Sequence, residues 1–206
     1  MSPLLALEPA TPGAEAVLRS PVEHRLLAAG GRIEQRGPWR VAIGLDREDA
    51  FLETVAFADA SHLAKLDVRG GEAPAERPDR AVFEIASDRW IFLCPWDQRE
   101  ATLAELGDHR VALDLSGAWM TLVLAGPEAE RLLRRLGPIA AVPGSGPIAG
   151  VPGRVVRRGG LLLVLVASEF AQHVWDVCAD LCGPLGGGPA SLDTVIRSGD
   201  DPLLKS

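Results

Sequence analysis

The chain has 206 residues, a formal net charge of −7 and a hydrophobic fraction of 47%. That length and apolar content allow one domain with a real core, or two small ones. The acidic balance excludes nucleic acid as a main partner, since phosphate binding needs a basic surface, and no apolar run approaches the roughly 18 residues of a membrane helix.

Residues 1–18 carry Ala, Pro and Leu without a period, and are expected to form a loosely held extension. They lack a basic n-region, so no signal peptide is expected. Ser20-Pro21-Val22-Glu23 has the pattern of a capping box with proline at the first helical position, and Gly30-Gly31 stops the helix. Trp39 to Leu45 alternates and predicts a strand. Asp46 is placed to cap a second helix running to about Val55. Lys65 to Arg69 alternates polar and apolar residues, the pattern of a half-exposed strand. Residues 70–80, rich in glycine, proline and charge, predict a loop. Val82 to Ile85 and Trp90 to Cys94 predict strands about a turn at Ser87-Asp88. Asp97, with Glu100 three residues on, is placed to cap a helix ending near Leu106.

Val111 to Leu113 and Trp119 to Ala125 predict the next strands. Gly126-Pro127 opens a helix that turns Leu132, Leu133 and Leu136 inward. Residues 137–153, with Pro138, Pro143, Pro147 and Pro152 among glycines, predict a rigid irregular loop. Arg154 to Arg157 and Leu161 to Ala167 predict strands. Ser168 is placed to cap a long helix with an inward face of Ala171, Val174, Val177, Cys178 and Leu181. Gly183-Pro184 ends it, and residues 183–206 are expected to be a mobile tail.

One internal repeat organises the chain. Asp59-Ala60-Ser61 through Gly71-Glu72-Ala73 is echoed by Asp114-Leu115-Ser116 through Gly126-Pro127-Glu128-Ala129. Each copy has a D-x-S turn, an alternating strand, then a glycine closely followed by Glu-Ala. The order of hairpins and helices lacks regular βαβ spacing, which favours α+β layers. The expected domain spans 19–182, built of two strand-hairpin/helix modules at about 19–108 and 109–182.

Asp59, Ser61, His62 and Lys65 form the candidate polar cluster. Asp and Ser two apart satisfy backbone donors at a turn, a structural job; a ligand role needs His62 to face a pocket. Gly144-Ser145-Gly146 lacks the following helix that a phosphate loop requires. Cys178 and Cys182 share a helix face but have no further ligands placed to complete a metal set, so no metal is expected. With Cys94 they make three cysteines, too few for a disulfide framework, which fits a reducing, cytoplasmic compartment. Ser168 lacks a glycine elbow and is read as a cap, not a nucleophile. Trp119 and Trp175 are candidate interface residues, because tryptophan is enriched at partner surfaces.

Phe57-Ala58-Asp59-Ala60-Ser61-His62-Leu63-Ala64-Lys65 resembles the F-D-V-S-H-M-G-K segment of the glycine-cleavage aminomethyltransferases, a folate-binding superfamily. A shorter relative, the gamma subunit of heterotetrameric sarcosine oxidase, is similar over more pieces. These are Ser87-Asp88-Arg89-Trp90-Ile91-Phe92-Leu93 with Pro95, Asp114-Leu115-Ser116, Leu122 to Ala129, and Val166 to Ala171 with Trp175. The resemblance spans about residues 20–182 and implies two ferredoxin-like modules of the aminomethyltransferase folate-binding type. The family's tyrosine-threonine-glycine-glutamate loop, whose acid helps hold folate, is here Arg158-Gly159-Gly160-Leu161. The chain contains no tyrosine and no asparagine, so the family's asparagine-aspartate pair is also missing. The resemblance therefore implies a non-catalytic, gamma-like subunit without catalytic residues or a bound cofactor of its own. FAD or FMN, NAD and tetrahydrofolate are expected on alpha, beta and delta-like partner subunits of an oxidase acting on sarcosine or another secondary amine. A stand-alone folate-binding or aminomethyl-transferring protein, and a scaffold without a ligand, are the alternatives.

Overall fold

The computed structural model describes residues 17–72, 75, 77–107, 111–199 and 201–205. The elements run β1 (Leu18–Arg19), α1 (Glu23–Ala28), β2 (Arg32–Arg36), β3 (Trp39–Gly44), α2 (Glu48–Leu52), β4 (Ala56–Asp59) and β5 (Ala64–Arg69). They continue with β6 (Ala81–Ala86), β7 (Arg89–Cys94), α3 (Arg99–Gly107), β8 (Val111–Asp114), β9 (Trp119–Ala125) and α4 (Ala129–Leu136). Last come β10 (Gly144–Ile148), β11 (Val151–Arg158), β12 (Leu161–Ala167), α5 (Ala171–Cys182), β13 (Gly188–Pro189) and α6 (Leu192–Gly199). The expected α+β class is the observed one.

Three sheets share the strands. A six-stranded sheet has the order β10-β11-β12-β9-β4-β13, a four-stranded sheet β6-β7-β5-β8, and a small one β1-β3-β2. Leu161–Ala167 is apolar throughout because β12 is buried on both faces. Leu162, Val164 and Val166 pack with α4 and α5, while Leu161, Leu163 and Leu165 face Phe83, Ile91 and Leu93 of the four-stranded sheet. A third cluster lies beyond that second sheet, where Leu66, Val68 and Phe92 meet Leu106 of α3. The layers are thus helices, six-stranded sheet, four-stranded sheet, helix. Because β4 lies beside β9 in the large sheet, its hydrogen bonds cross the expected 108/109 module boundary.

Several expectations need correction. The strand β5 is not half exposed: Lys65 and Asp67 are as buried as Leu66 and Val68. Asp67 is neutralised in place by Arg69 (2.9 Å) and Arg89 (2.7 Å). The expected loop 137–153 contains β10, paired in register with β11. Pro147, the one proline within β10, is tolerated because β10 is an edge strand, where a missing N–H breaks no inner ladder. The tail beyond Gly183 is structured over the described residues 184–199 and 201–205. β13 pairs parallel with β4, and Val195, Leu203 and Leu204 are fully buried. Its glycine run permits a close crossing rather than looseness: a Cβ on Gly187 would lie 2.0 Å from the Val55 carbonyl oxygen.

The caps also differ. Ser20 Oγ accepts from the Val22 N–H at 3.1 Å, and Glu23 turns to Arg40 at 3.0 Å instead of closing a capping box. Arg47, not Asp46, precedes α2, and Ala56 is already strand. Asp97 lies inside a 3-10 turn, Trp96–Gln98, ahead of α3. Ser168 caps nothing; its hydroxyl donates to the Gly117 carbonyl at 2.9 Å. The buried face of α5 is Ala171, Val174, Trp175, Cys178 and Cys182, rotated from the expected one. Within the expected N-terminal extension, Leu18 pairs with Trp39 as part of β1; residues 1–16 lie outside the described residues.

Candidate functional site

The repeat resolves into two turns of the same design. Asp59 Oδ1 accepts from the Ser61 N–H at 3.1 Å and from its hydroxyl at 2.5 Å. Asp114 Oδ1 accepts from the Ser116 N–H at 2.9 Å and from its hydroxyl at 2.6 Å. Short Asp and Ser side chains bond neighbouring backbone in this way because they can stand in for a backbone turn.

Both turns converge on Lys65. Its N–H donates to Ser116 Oγ at 3.0 Å, and its carbonyl accepts from the Leu115 N–H at 2.9 Å. Its Nζ donates to the Ser61 carbonyl at 2.5 Å. The ammonium also lies 5.8 Å from the centre of the Trp39 ring. Trp39 in turn meets Trp96 edge-on, and the Arg99 guanidinium covers Trp96 and reaches Asp114 at 3.2 Å. A single lysine therefore ties the first turn, the second turn and the β3 aromatic together.

Burial governs the protonation of this cluster. Desolvation pushes Lys65 down to about 7, against the attraction of Asp59 and Asp114. Desolvation likewise raises Asp59, opposed by its bonds to Ser61 and Ser20 and by Lys65. His62 falls to about 3, first from burial and then from the charges of Lys65 and Arg36. At neutral pH His62 is a neutral imidazole, 6% exposed. A lysine poised near neutrality has the electronics of a nucleophile or base. Lys65, however, is 0% exposed, and a substrate has no approach to it. The arrangement joins turns; it has no open position for a reacting atom.

The other predicted positions separate from this cluster. Trp175 is 3% exposed and packs edge-on against Phe57 with ring centres 4.7 Å apart, so it is core and offers no surface. Trp119 is half-buried, and its Nε1 is buried without a partner. Cys178 and Cys182 are fully buried, with desolvation pushing both thiols up, that of Cys182 to about 12, and no set of three metal-ligating side chains forms among the described residues.

Two groups escaped the sequence reading. Arg158 leaves the end of β11 to pair with Asp201 at 3.1 Å and to donate to the carbonyls of Arg77, Pro78 and Arg80. It locks the large sheet, the 77–80 segment and the C-terminal residues together. The second group is a cleft of about 580 Å³ between β6 and the β10–β11 hairpin, bordered by Glu84, Trp90, Ser145 and Arg154. The arginine-rich run Arg154 to Arg158 was the available signal for both, but it reads as a solvated strand edge when the facing strand is unknown.

No family model matches the chain, and no curated protein matches it. Solved structures do. The chain is similar to the glycine cleavage system aminomethyltransferase T from Bartonella henselae at 14% identity and a TM-score of 0.69, over 89% of this chain and 62% of that one. It is similar to a chain of the heterotetrameric sarcosine oxidase from Corynebacterium sp. U-96 at 17% identity and a TM-score of 0.60. That match covers 83% of this chain and 97% of the oxidase chain. This chain thus spans less than two thirds of the aminomethyltransferase. The fold is of the aminomethyltransferase type.

Proposed function

We propose that this chain is a non-catalytic, gamma-like subunit of a flavin-dependent oxidase of sarcosine or a related secondary amine, feeding folate one-carbon metabolism. Flavin, NAD and tetrahydrofolate belong, on this reading, to alpha, beta and delta-like partner subunits. One observation carries it: the match to the sarcosine oxidase chain runs over 97% of that chain, whereas the aminomethyltransferase extends well beyond the matched part. The polar cluster supports the same reading. Asp59, Ser61, Lys65, Asp114 and Ser116 spend their hydrogen bonds on one another and on backbone, holding the frame. Arg158, standing where the resemblance calls for a folate-holding loop, is likewise committed to Asp201 and to carbonyls.

Co-expression with flavoprotein subunits encoded beside this chain tests the proposal. The expected result is a stable co-purifying complex, weakened by Trp119→Ala, with the isolated chain colourless. A monomer that retains no flavoprotein under these conditions overturns it. Micromolar binding of tetrahydrofolate by the isolated chain would instead favour the stand-alone folate-binding alternative.

A further inference from the structure

The cleft beside β6 has the size of a small-molecule site, about 580 Å³. Val82, Ile85, Trp90 and Val156 give it an apolar wall. Its charges are unusual in being unspent. The Arg154 guanidinium donates from Nε to the Glu84 carbonyl at 2.9 Å and from Nη2 to the Ile85 carbonyl at 3.1 Å. Both acceptors are neutral, and Arg154 forms no ion pair among the described residues, although most of the other arginines in the fold do. Partial burial and the nearby charge of Arg89 both disfavour its cationic form, so an added anion is welcome there. Ser145 is the register partner of Arg154 on β10, so its hydroxyl stands on the same face.

On β6 the exposed Glu84 carboxylate is equally free. It has no ion pair and no side-chain hydrogen bond among the described residues, and it pairs in register with Trp90 on β7. The cleft thus offers one cation with a hydroxyl, one separate anion, and an apolar wall between strands. A ligand of single charge leaves one of the two protein charges unmatched. A zwitterion matches both.

We propose that this cleft binds a free α-amino acid with a large apolar side chain. The carboxylate meets Arg154 and Ser145, the ammonium meets Glu84, and the side chain lies against Val82, Ile85 and Trp90. This goes beyond the assembly role argued above, and it needs no partner subunit.

The test uses the full chain and L-phenylalanine as probe, followed by calorimetry and by the indole N–H signal of Trp90, assigned with Trp90→Phe. Saturable binding with a shift of that signal is expected. 3-Phenylpropanoate, which lacks the ammonium, and 2-phenylethylamine, which lacks the carboxylate, should each bind about tenfold more weakly or worse, as expected for loss of one charged hydrogen bond. Glu84→Gln should weaken L-phenylalanine by a similar factor and leave 3-phenylpropanoate unchanged. Its backbone carbonyl still receives Arg154, so the fold is kept, and a melting curve checks that. No saturable response up to about 10 mM, a concentration that detects even very weak sites, overturns the proposal. So does 3-phenylpropanoate binding as tightly as L-phenylalanine, which reduces the cleft to an anion site.

Discussion

Replacing Lys65 with methionine separates what its charge costs from what its bond contributes. In the folded chain Lys65 titrates at about 7, pushed down by burial, against an ordinary value of 10.5. Below about 7 both the folded and unfolded states hold the proton, and the folded state bears the full cost of a buried ammonium. Between about 7 and 10.5 the unfolded chain keeps a proton that the folded chain has lost, so stability rises with pH there. The slope approaches about 1.4 kcal/mol per pH unit for one group. Between pH 6 and pH 9 the gain amounts to roughly 2–3 kcal/mol. Methionine has a similar length and no charge, so the variant lacks this rise. It also leaves the Ser61 carbonyl without its Nζ donor, a loss of about 1–3 kcal/mol for a buried acceptor. Near pH 6 the two effects oppose and the variant should sit close to the parent; by pH 9 it should be clearly less stable. Urea unfolding followed by tryptophan fluorescence at a series of pH values reads the difference, in which the other titrating groups cancel. Parallel stability curves for the two proteins would refute the argument, because they would mean that Lys65 keeps its charge through hydration the structure does not provide.

Asp59→Ala and Asp114→Ala should each lower stability by roughly 0.5–2 kcal/mol, as lost side-chain caps do, with Asp114→Ala also freeing Arg99; an unchanged melting point together with lost activity of the assembled complex would mean that the turns are a site. Trp175→Ala should cost about 3–5 kcal/mol through the cavity it leaves beside Phe57, whereas Trp119→Ala should act mainly on assembly; comparing melting curves with co-purification yield distinguishes them. Arg158→Ala should cost about 3 kcal/mol or more, because the Asp201 carboxylate, 6% exposed, is left unpaired. Hydrogen exchange should then accelerate first at residues 201–205 and in α6, and uniform protection there would count against the clamp.

Much of the fold was legible because local pattern and tertiary position agreed. The seven-residue apolar run of β12 could only be a strand buried on both faces, and Leu132, Leu133 and Leu136 could only line one side of α4. The failures have a common physical source: a residue's surroundings were inferred from its own chemistry. Alternation in β5 suggests one wet face, yet Asp67 is dry because Arg69 and Arg89 come from neighbouring positions to pair with it. Pro147 of β10 and the glycines before β13 look like loop material. They are strand material at an edge and at a tight crossing, positions that only the sheet order reveals.

The candidate site was half legible for a related reason. A repeated D-x-S motif announces two turns, and each turn explains its own hydrogen bonds. What the sequence cannot supply is that the turns lie on either side of Lys65, since Asp59 and Asp114 are 55 positions apart in the chain. Once they do, the lysine of the first copy becomes the one shared tie. The first copy contributes its Ser61 carbonyl and the second its Ser116 hydroxyl. Closing both turns gives the Lys65 N–H and Nζ their acceptors within the fold, which an opened turn takes away. That is a reason for a repeated module to keep its polar centre even where the centre performs no chemistry.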